Sequence, residues 1–436
     1  MRDQKAFDRV AGIVKSLGNR ENVLVVSAVN GVTDLLLQAC DASLEGEEKV
    51  IEVMEKLRKI HSFDYYCADL DEKMMRLRRL LYGINYTNEV TPQVREVVAS
   101  YGERFSAALL AEHLKRAGID AEAVMADEAG IITDGRIGAS RCLLGETKKN
   151  LKKLNHLLKQ GKTLVVTGFF GKDETGKITT FGRGGSDYSA GVVAAGLEAD
   201  RLEIWKDVEG FMTADPKKVE GAELLEEISF GEAKELGLFG AKILHPMTLE
   251  PLAGTGVEIE IKSVLAPEAE GTKIREKIDS KKRGSRMAAS IAVKKGISVI
   301  NFEDARLAEE SGGAATVFSR VAAEGAQVDA ISTTQVSISF TVDSRDADRA
   351  VNALKNSSGS AVTLTKNAAM IGVVGDQLKQ KTSEVAARTF ARLAKEGVEV
   401  EMISQGASDI SLTLVVREED VEKAVAAIHE ELKKKL

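Results

Sequence analysis

The sequence predicts an α/β protein: a largely parallel sheet with helices on both faces, followed by two small βαβ-type modules. Three observations carry this. Apolar, strand-like runs at 23–29, 164–170, 202–205 and 257–263 alternate with helical stretches, as in a sheet whose strands are joined by helices. Phe-Gly-Arg-Gly-Gly-Ser-Asp at 181–187 puts three glycines in four positions and opens directly into an Ala-rich helical run. The chain also repeats itself: without gaps, at an offset of 72, residues 314–341 match 386–413 at roughly half their positions.

In chain order, residues 3–17 read as an amphipathic helix with Phe7, Val10, Ala11, Val14 and Leu17 on one face. Such a helix normally covers a preceding strand. Only Met1 and Arg2 precede it, so a first strand is expected to be missing. Residues 45–111 read as helices with a break at 83–92. A short strand follows at 121–124, then a turn-rich stretch at 127–140. Gly-Lys-Asp-Glu-Thr-Gly-Lys at 171–177 imitates a P-loop, but Ile178 replaces the magnesium-binding hydroxyl. It lies between two strand-like runs and reads as a hairpin tip. A dinucleotide fingerprint fails too, because Asp187 takes the third glycine position. The charged stretch 273–287, without apolar period, is the best domain boundary. Beyond it, each repeat has a Phe-x-Arg helix core (Phe318, Arg320; Phe390, Arg392), then Glu-Gly, then an Ile-Ser turn (Ile331, Ser332; Ile403, Ser404). An alternating strand is expected after each turn, at 336–342 and 410–416.

Bulk properties narrow the function classes. The 436 residues allow two or three domains, and the net charge of −7 gives no support to nucleic acid binding. The locally basic stretches 148–162 and 281–286 read as a solvated helix face and a linker. Cys40, Cys67 and Cys142 form no C-x-x-C pair, which predicts a reduced, cytoplasmic compartment. The five histidines show no metal-ligand spacing, so no metal site is expected. No apolar run approaches the ~18 residues of a membrane helix.

The 181–187 turn is the leading candidate site. Free N–H groups at a helix start favour an anion, and Arg183 adds a planar cation suited to carboxylate or phosphate. Ser186 or Asp187 is the expected N-cap. A plain glycine loop joining strand to helix is the competing reading. Taken singly, Glu103 reads as a solvated acid, Lys242 as a helix-end lysine, Asp215-Pro216 as a turn, and His245 as packed or capping.

Six ordered segments change that balance. They are Val-Val-Ser-Ala-Val-Asn-Gly-Val-Thr-Asp at 25–34, Ser-Tyr-Gly-Glu-Arg-Phe-Ser at 100–106, the turn at 181–187, Trp-Lys-Asp-Val-Glu-Gly at 205–210, Thr-Ala-Asp-Pro at 213–216, and Phe-Gly-Ala-Lys-Ile-Leu-His-Pro at 239–246. Together they resemble the aspartate kinases of the amino-acid kinase family. The repeats look like ACT modules, the second carrying Met-Ile-Ser-Gln-Gly-Ala-Ser at 402–408. The resemblance implies a three-layer α/β/α kinase domain over 1–275 and βαββαβ-type ACT modules over 288–362 and 363–436. It implies transfer of the γ-phosphoryl of ATP, with Mg2+, to the β-carboxylate of L-aspartate, and feedback by lysine or threonine in a homodimer or larger assembly.

By resemblance, Thr33, Glu103, Arg183, Gly184, Gly185 and Ser186 hold aspartate. Asp187 and Lys242 serve catalysis. Lys206, Asp207, Met212, Lys217, Lys242 and Ile243 hold the nucleotide, and Asp329, Ser332 and Gln335 the effector. The chemistry suits these residue types: a carboxylate acceptor is already ionised at neutral pH and needs no general base. Positioning and positive charge are what remain to be supplied. The family's Lys-x-Gly-Gly-Thr-Ser strand is absent before Met1, and Lys206 stands where a threonine is usual. Two readings stay open: a feedback-regulated kinase, or a catalytically silent amino-acid-sensing paralogue.

Overall fold

The structure, a computed structural model, describes residues 4–18, 20–239, 243–278, 288–309, 311–355, 359–406 and 410–433. In chain order the elements are α1 (Gln4–Ser16), β1 (Val23–Val26), α2 (Val32–Ala42), α3 (Glu47–Ile60), α4 (Ala68–Thr87), α5 (Pro92–Ala99), α6 (Tyr101–Arg116), β2 (Ala121–Val124), α7 (Ala126–Ala129), α8 (Leu144–Leu151), α9 (Asn155–Lys159), β3 (Thr163–Thr167), β4 (Phe170–Lys172), β5 (Ile178–Thr180), α10 (Gly185–Leu197) and β6 (Arg201–Lys206). They continue as β7 (Glu227–Ser229), α11 (Phe230–Leu238), β8 (Glu258–Ser263), β9 (Thr272–Arg275), β10 (Ser290–Glu303), α12 (Gly313–Ala323), β11 (Val328–Thr333), β12 (Ser337–Asp343), α13 (Ala347–Leu354), β13 (Ala361–Val374), α14 (Leu378–Lys395), β14 (Met402–Ser404), β15 (Ser411–Arg417) and α15 (Val421–Lys433). Two compact units result: Met1–Val208 with Met247–Ala269, and Glu209–Pro246 with Glu270–Leu436.

The first unit is a three-layer α/β/α arrangement. β1, β3 and β2 form a parallel sheet in that order, with Val23 opposite Leu164 and Ala121 opposite Thr163. β3 is central and buried on both faces, and its side chains alternate between two cores. Val165 faces a core built from α1, α2, α3, α4 and α6, including Phe7, Leu36, Leu57, Leu77 and Phe105. Leu164 and Val166 face another, with Leu151 of α8 and Val192 and Val193 of α10. β6 and β8 pair in parallel beside this, Arg201 opposite Glu258. The first helix is as expected, burying Phe7, Ala11 and Val14.

Two expectations are refined here. The expected break over 83–92 is present but starts later: α4 runs through Gly83 to Thr87, Asn88 in the left-handed region (φ 52) ends it, and α5 begins at Pro92. Lone glycines are tolerated inside a packed helix when buried residues such as Leu81 and Ile84 hold it. Neither Ser186 nor Asp187 caps α10. Gly184 is the N-cap, with φ 74 and no side-chain cap, and the Gly185 N–H donates to Gly182 O at 3.0 Å.

The second unit holds the β7–β9 parallel pair and a six-stranded antiparallel sheet ordered β11-β12-β10-β13-β15-β14. β10 and β13 are each 14 residues long and lie side by side, Ser290 opposite Val374 and Glu303 opposite Ala361. β13 passes residues 362 and 363 without a break. The repeat maps onto two cores. Ile300, Phe302, Val317, Phe340 and Leu354 fill one; Ile371, Val373, Leu393, Leu414, Val425 and Ile428 fill the other. The expected Ile-Ser turns are strand instead, within β11 and β14, where ladder pairing overrides local turn preference. The second copy's strand does not alternate: residues 411–416 of β15 are all buried. Covered strands read as continuous apolar runs. Helix α11 meets β15 where Ser411 Oγ donates to Glu235 Oε2 at 2.9 Å, and Phe239 lies on neighbouring β13, a Cβ on Gly372 being 2.5 Å from its ring.

Candidate active site

Several element ends converge at the C-terminal edge of β1 and β3, where ligands of open α/β sheets bind. The Gly168 N–H donates to Val26 O at 2.9 Å, and a Cβ there would sit 2.9 Å from Ser186 Cα. The first turn of α10 thereby lies against both strands. Phe169 takes a left-handed conformation (φ 74), and its N–H donates to Ser189 Oγ at 2.9 Å. The β4–β5 hairpin then leads into the glycine turn. Asp173 Oδ1 closes the hairpin tip, accepting from the N–H groups of Thr175 and Lys177, so the P-loop imitation is a hairpin as expected.

In the turn, Gly182 (φ 73) and Gly184 (φ 74) both need the left-handed region, and a Cβ on Gly182 would come 2.5 Å from Gly138 O. Gly185 is buried, Ser186 half-buried and Arg183 exposed. Arg183 has no hydrogen bond or ion pair to any described residue, so its fork is unengaged. Asp187, in the first turn of α10, is bonded by Lys206 Nζ to both carboxylate oxygens, each at 2.9 Å.

Glu103 lies in the first turn of α6 and is 2% exposed. Its Oε1 accepts from the Ala28 N–H at 3.0 Å, just past β1; Oε2 is buried with no partner among the described residues. Burial pushes the carboxyl up to about 8, outweighing the Ala28 N–H, which favours the ionised form. The start of α2 abuts that of α6, a Cβ on Gly102 being 3.5 Å from Val32 Cγ1, and half-buried Thr33 follows Val32. Glu103, Thr33 and Ser186 are thus gathered around the end of β1. Among the described residues no hydrogen bond or ion pair joins Arg183 to Glu103.

The remaining expected residues are spread more widely. Lys206 and exposed Asp207 end β6 in the first unit; Met212 and Ile243, half-buried, and exposed Lys217 belong to the second. The Asp215 turn forms as expected, Oδ1 accepting from the Lys217 N–H at 3.0 Å. Lys242, with part of the 239–246 segment, lies outside the described residues, as do Ala407 and Ser408. Asp329 and Ser332 lie on β11, Asp329 paired with Lys294 Nζ at 2.6 Å, and exposed Gln335 follows the strand. Among the described residues no group of three or more His, Cys, Asp or Glu side chains is placed to hold a metal.

Sequence reasoning missed two further groups. Arg104, inside a quoted motif but given no role, bonds Asp127 at 3.0 Å and lies 4.6 Å over the Phe170 ring. Glu96 bonds the approach to the glycine turn and carries no motif signal.

Residues 1–263 match the amino acid kinase family, and residues 300–357 and 371–432 match an ACT domain. Aspartokinase 2, chloroplastic, of Arabidopsis thaliana is 31% identical over 441 residues, covering 96% of this chain and 80% of that protein. Lysine-sensitive aspartokinase 3 of Escherichia coli K12 is 30% identical over 448 residues, covering 99% and 96%. Among solved structures, E. coli aspartokinase III with lysine and aspartate is similar at TM-score 0.83 and 28% identity, covering 98% of this chain and 96% of that one. The same enzyme with aspartate and ADP gives 0.80 at 28%, covering 99% and 97%. An α/β kinase domain, paired ACT-type modules and full-length similarity agree: the chain belongs to the amino acid kinase family and, within it, to the aspartokinases.

Proposed function

We propose that this protein transfers the γ-phosphoryl of MgATP to the β-carboxylate of L-aspartate, giving 4-phospho-L-aspartate for lysine, threonine and methionine synthesis in the cytoplasm. The observation that carries the reading is Glu103 Oε2, buried and without a partner among the described residues, at the end of β1 against which the start of α10 also lies. A buried acceptor of that kind is costly unless a ligand cation completes it, and the α-ammonium of an amino acid supplies one. Arg183, unengaged in the turn, takes the α-carboxylate as a two-pronged contact, while Gly184, Gly185 and Ser186 let the substrate approach the backbone. Thr33 adds a hydroxyl.

The acceptor carboxylate attacks without a general base, so the protein's work is alignment and charge neutralisation. Asp187 orients a lysine at the transferring group; its bidentate pair with Lys206 supports that assignment. Lys206, Asp207, Met212, Lys217, Lys242 and Ile243 hold ATP, with Mg2+ arriving on the nucleotide and neutralising its phosphates. The kinase domain extends over 1–275 and the ACT modules over 288–362 and 363–436. Lysine or threonine binds at Asp329, Ser332 and Gln335 in a homodimer or larger assembly. E. coli aspartokinase III is known with lysine and aspartate bound, which supports the effector class.

The test is acyl phosphate trapping. Protein, MgATP, aspartate and hydroxylamine should yield aspartyl hydroxamate, which disappears when aspartate is omitted. ADP release without hydroxamate, or hydroxamate formed equally from glutamate, would remove the assignment.

A further inference from the structure

We propose that Glu96 is a positioning residue for the aspartate end of the site, and the inference rests on the reading just given. Glu96 is on α5 and only 7% exposed, and among the described residues no cation lies within ion-pair distance of it. A buried carboxylate without a counter-ion is held by its hydrogen-bond donors, and it fixes them in return. Oε2 accepts from the Thr180 N–H at 2.5 Å and from the Gly138 N–H at 3.2 Å; Oε1 accepts from Thr180 Oγ1 at 3.3 Å.

These donors are the two supports of the glycine turn. Thr180 ends β5 and is followed directly by Phe181. Gly138 is the residue whose carbonyl lies against Gly182, close enough that no side chain fits between them. Thr180 O also accepts from the Ser140 N–H at 3.0 Å, and Gln93, on the same helix as Glu96, donates to Ile178 O at 2.7 Å. One carboxylate therefore locks strand β5 to the loop that backs the turn. Among the described residues Arg183 has no hydrogen bond or ion pair, so its position depends on the backbone on either side. Glu96 reaches the substrate only through that backbone.

Glu96→Gln keeps the shape but replaces one acceptor oxygen with an NH2 facing donor groups. The expected result is an aspartate KM raised by about 10-fold with the ATP KM within twofold, since a small displacement of a positioning group costs rate or binding steeply. Amide hydrogen exchange over 181–185 should quicken, while 121–124 in β2 exchanges as in the parent protein. Glu96→Asp, which keeps the charge and both oxygens, should recover most of the aspartate affinity. If Glu96→Gln does not fold, Thr180→Val removes one of the three donors and should raise the aspartate KM by about threefold.

The exchange measurement needs no turnover, so a protein that forms no hydroxamate refutes the kinase reading while leaving the loop claim testable. Equal rises in both KM values overturn the proposal as general destabilisation. An unchanged aspartate KM, or unchanged exchange over 181–185, overturns it as well.

Discussion

Glu103 and Asp329 are both carboxylates to which we assign an amino-acid ligand, and the chain treats them oppositely. Glu103 is 2% exposed, has one oxygen without a partner among the described residues, and is pushed up to about 8 by burial. Asp329 is on β11, at one end of the six-strand order, and already ion-paired with Lys294. In the same sheet region Ile331 of β11, Val336 after it and Ile403 of β14 are 42%, 47% and 45% exposed. A buried acceptor oxygen with no partner among the described residues fits the proposed substrate site, whose residues here come from one chain. Asp329 is already satisfied, and its strand is also bonded across to β14, Ser404 Oγ donating to Ile331 O at 2.8 Å; the proposed assembly places the effector there, at a surface shared with a second copy. Substrate binding should therefore be strong and chain-autonomous, and effector binding weaker and dependent on assembly.

The largest effect that would break this contrast concerns Arg183. Arg183→Ala should lower kcat/KM for aspartate by about 100-fold or more, through loss of a two-pronged charge-assisted contact, with ATP affinity little changed. Unchanged aspartate kinetics would take Arg183 out of the site. Next comes Glu103→Gln, for which kcat/KM should fall by about 30-fold while stability does not fall, because a neutral amide is cheaper to bury than a carboxylate.

The pH dependence of stability sharpens the same point. Glu103 has its folded value raised above 4.5 to about 8, so its stabilising contribution is full below 4.5 and is lost as pH rises through 8. Without aspartate, Tm should fall across that window more in the parent than in Glu103→Gln, and saturating aspartate should flatten the difference. A parent protein and Glu103→Gln with parallel profiles would contradict it. The smallest expected effect is on the sensor. Asp329→Ala should cut the Tm rise produced by lysine or threonine to below a third of the parent value, and a monomer should show no such rise. A full effector shift in a monomer would erase the contrast between the two regions.

Much of this was legible because it depends on local pattern. The 3.6-residue period of α1, the hairpin tip at Asp173 and the offset repeat all follow from spacing that packing then respects. What failed depended on tertiary context. Ser186 and Asp187 are good capping residues, yet a glycine turn places Gly184 at the cap with no side-chain cap, the Gly185 N–H donating instead to Gly182 O at 3.0 Å. Ile331-Ser332 has turn chemistry but sits in a ladder with β12. β15 lost its alternation because it is covered on both faces. Glu103 was identifiable only through the surrounding motif, since its burial comes from α6 packing beside Ala28. Glu96 offered no signal at all, because its partners lie 42 and 84 residues away in sequence.

The central claim is that Glu103 waits, uncharged, for the ammonium of aspartate. Titration calorimetry at pH 7 in two buffers of different ionisation heat measures the protons exchanged on aspartate binding. With a carboxyl at about 8 in the empty site, close to one proton should leave per aspartate bound in the parent protein, and close to none in Glu103→Gln. Aspartate binding to the parent protein with no proton released, and with equal affinity in Glu103→Gln, would contradict the account.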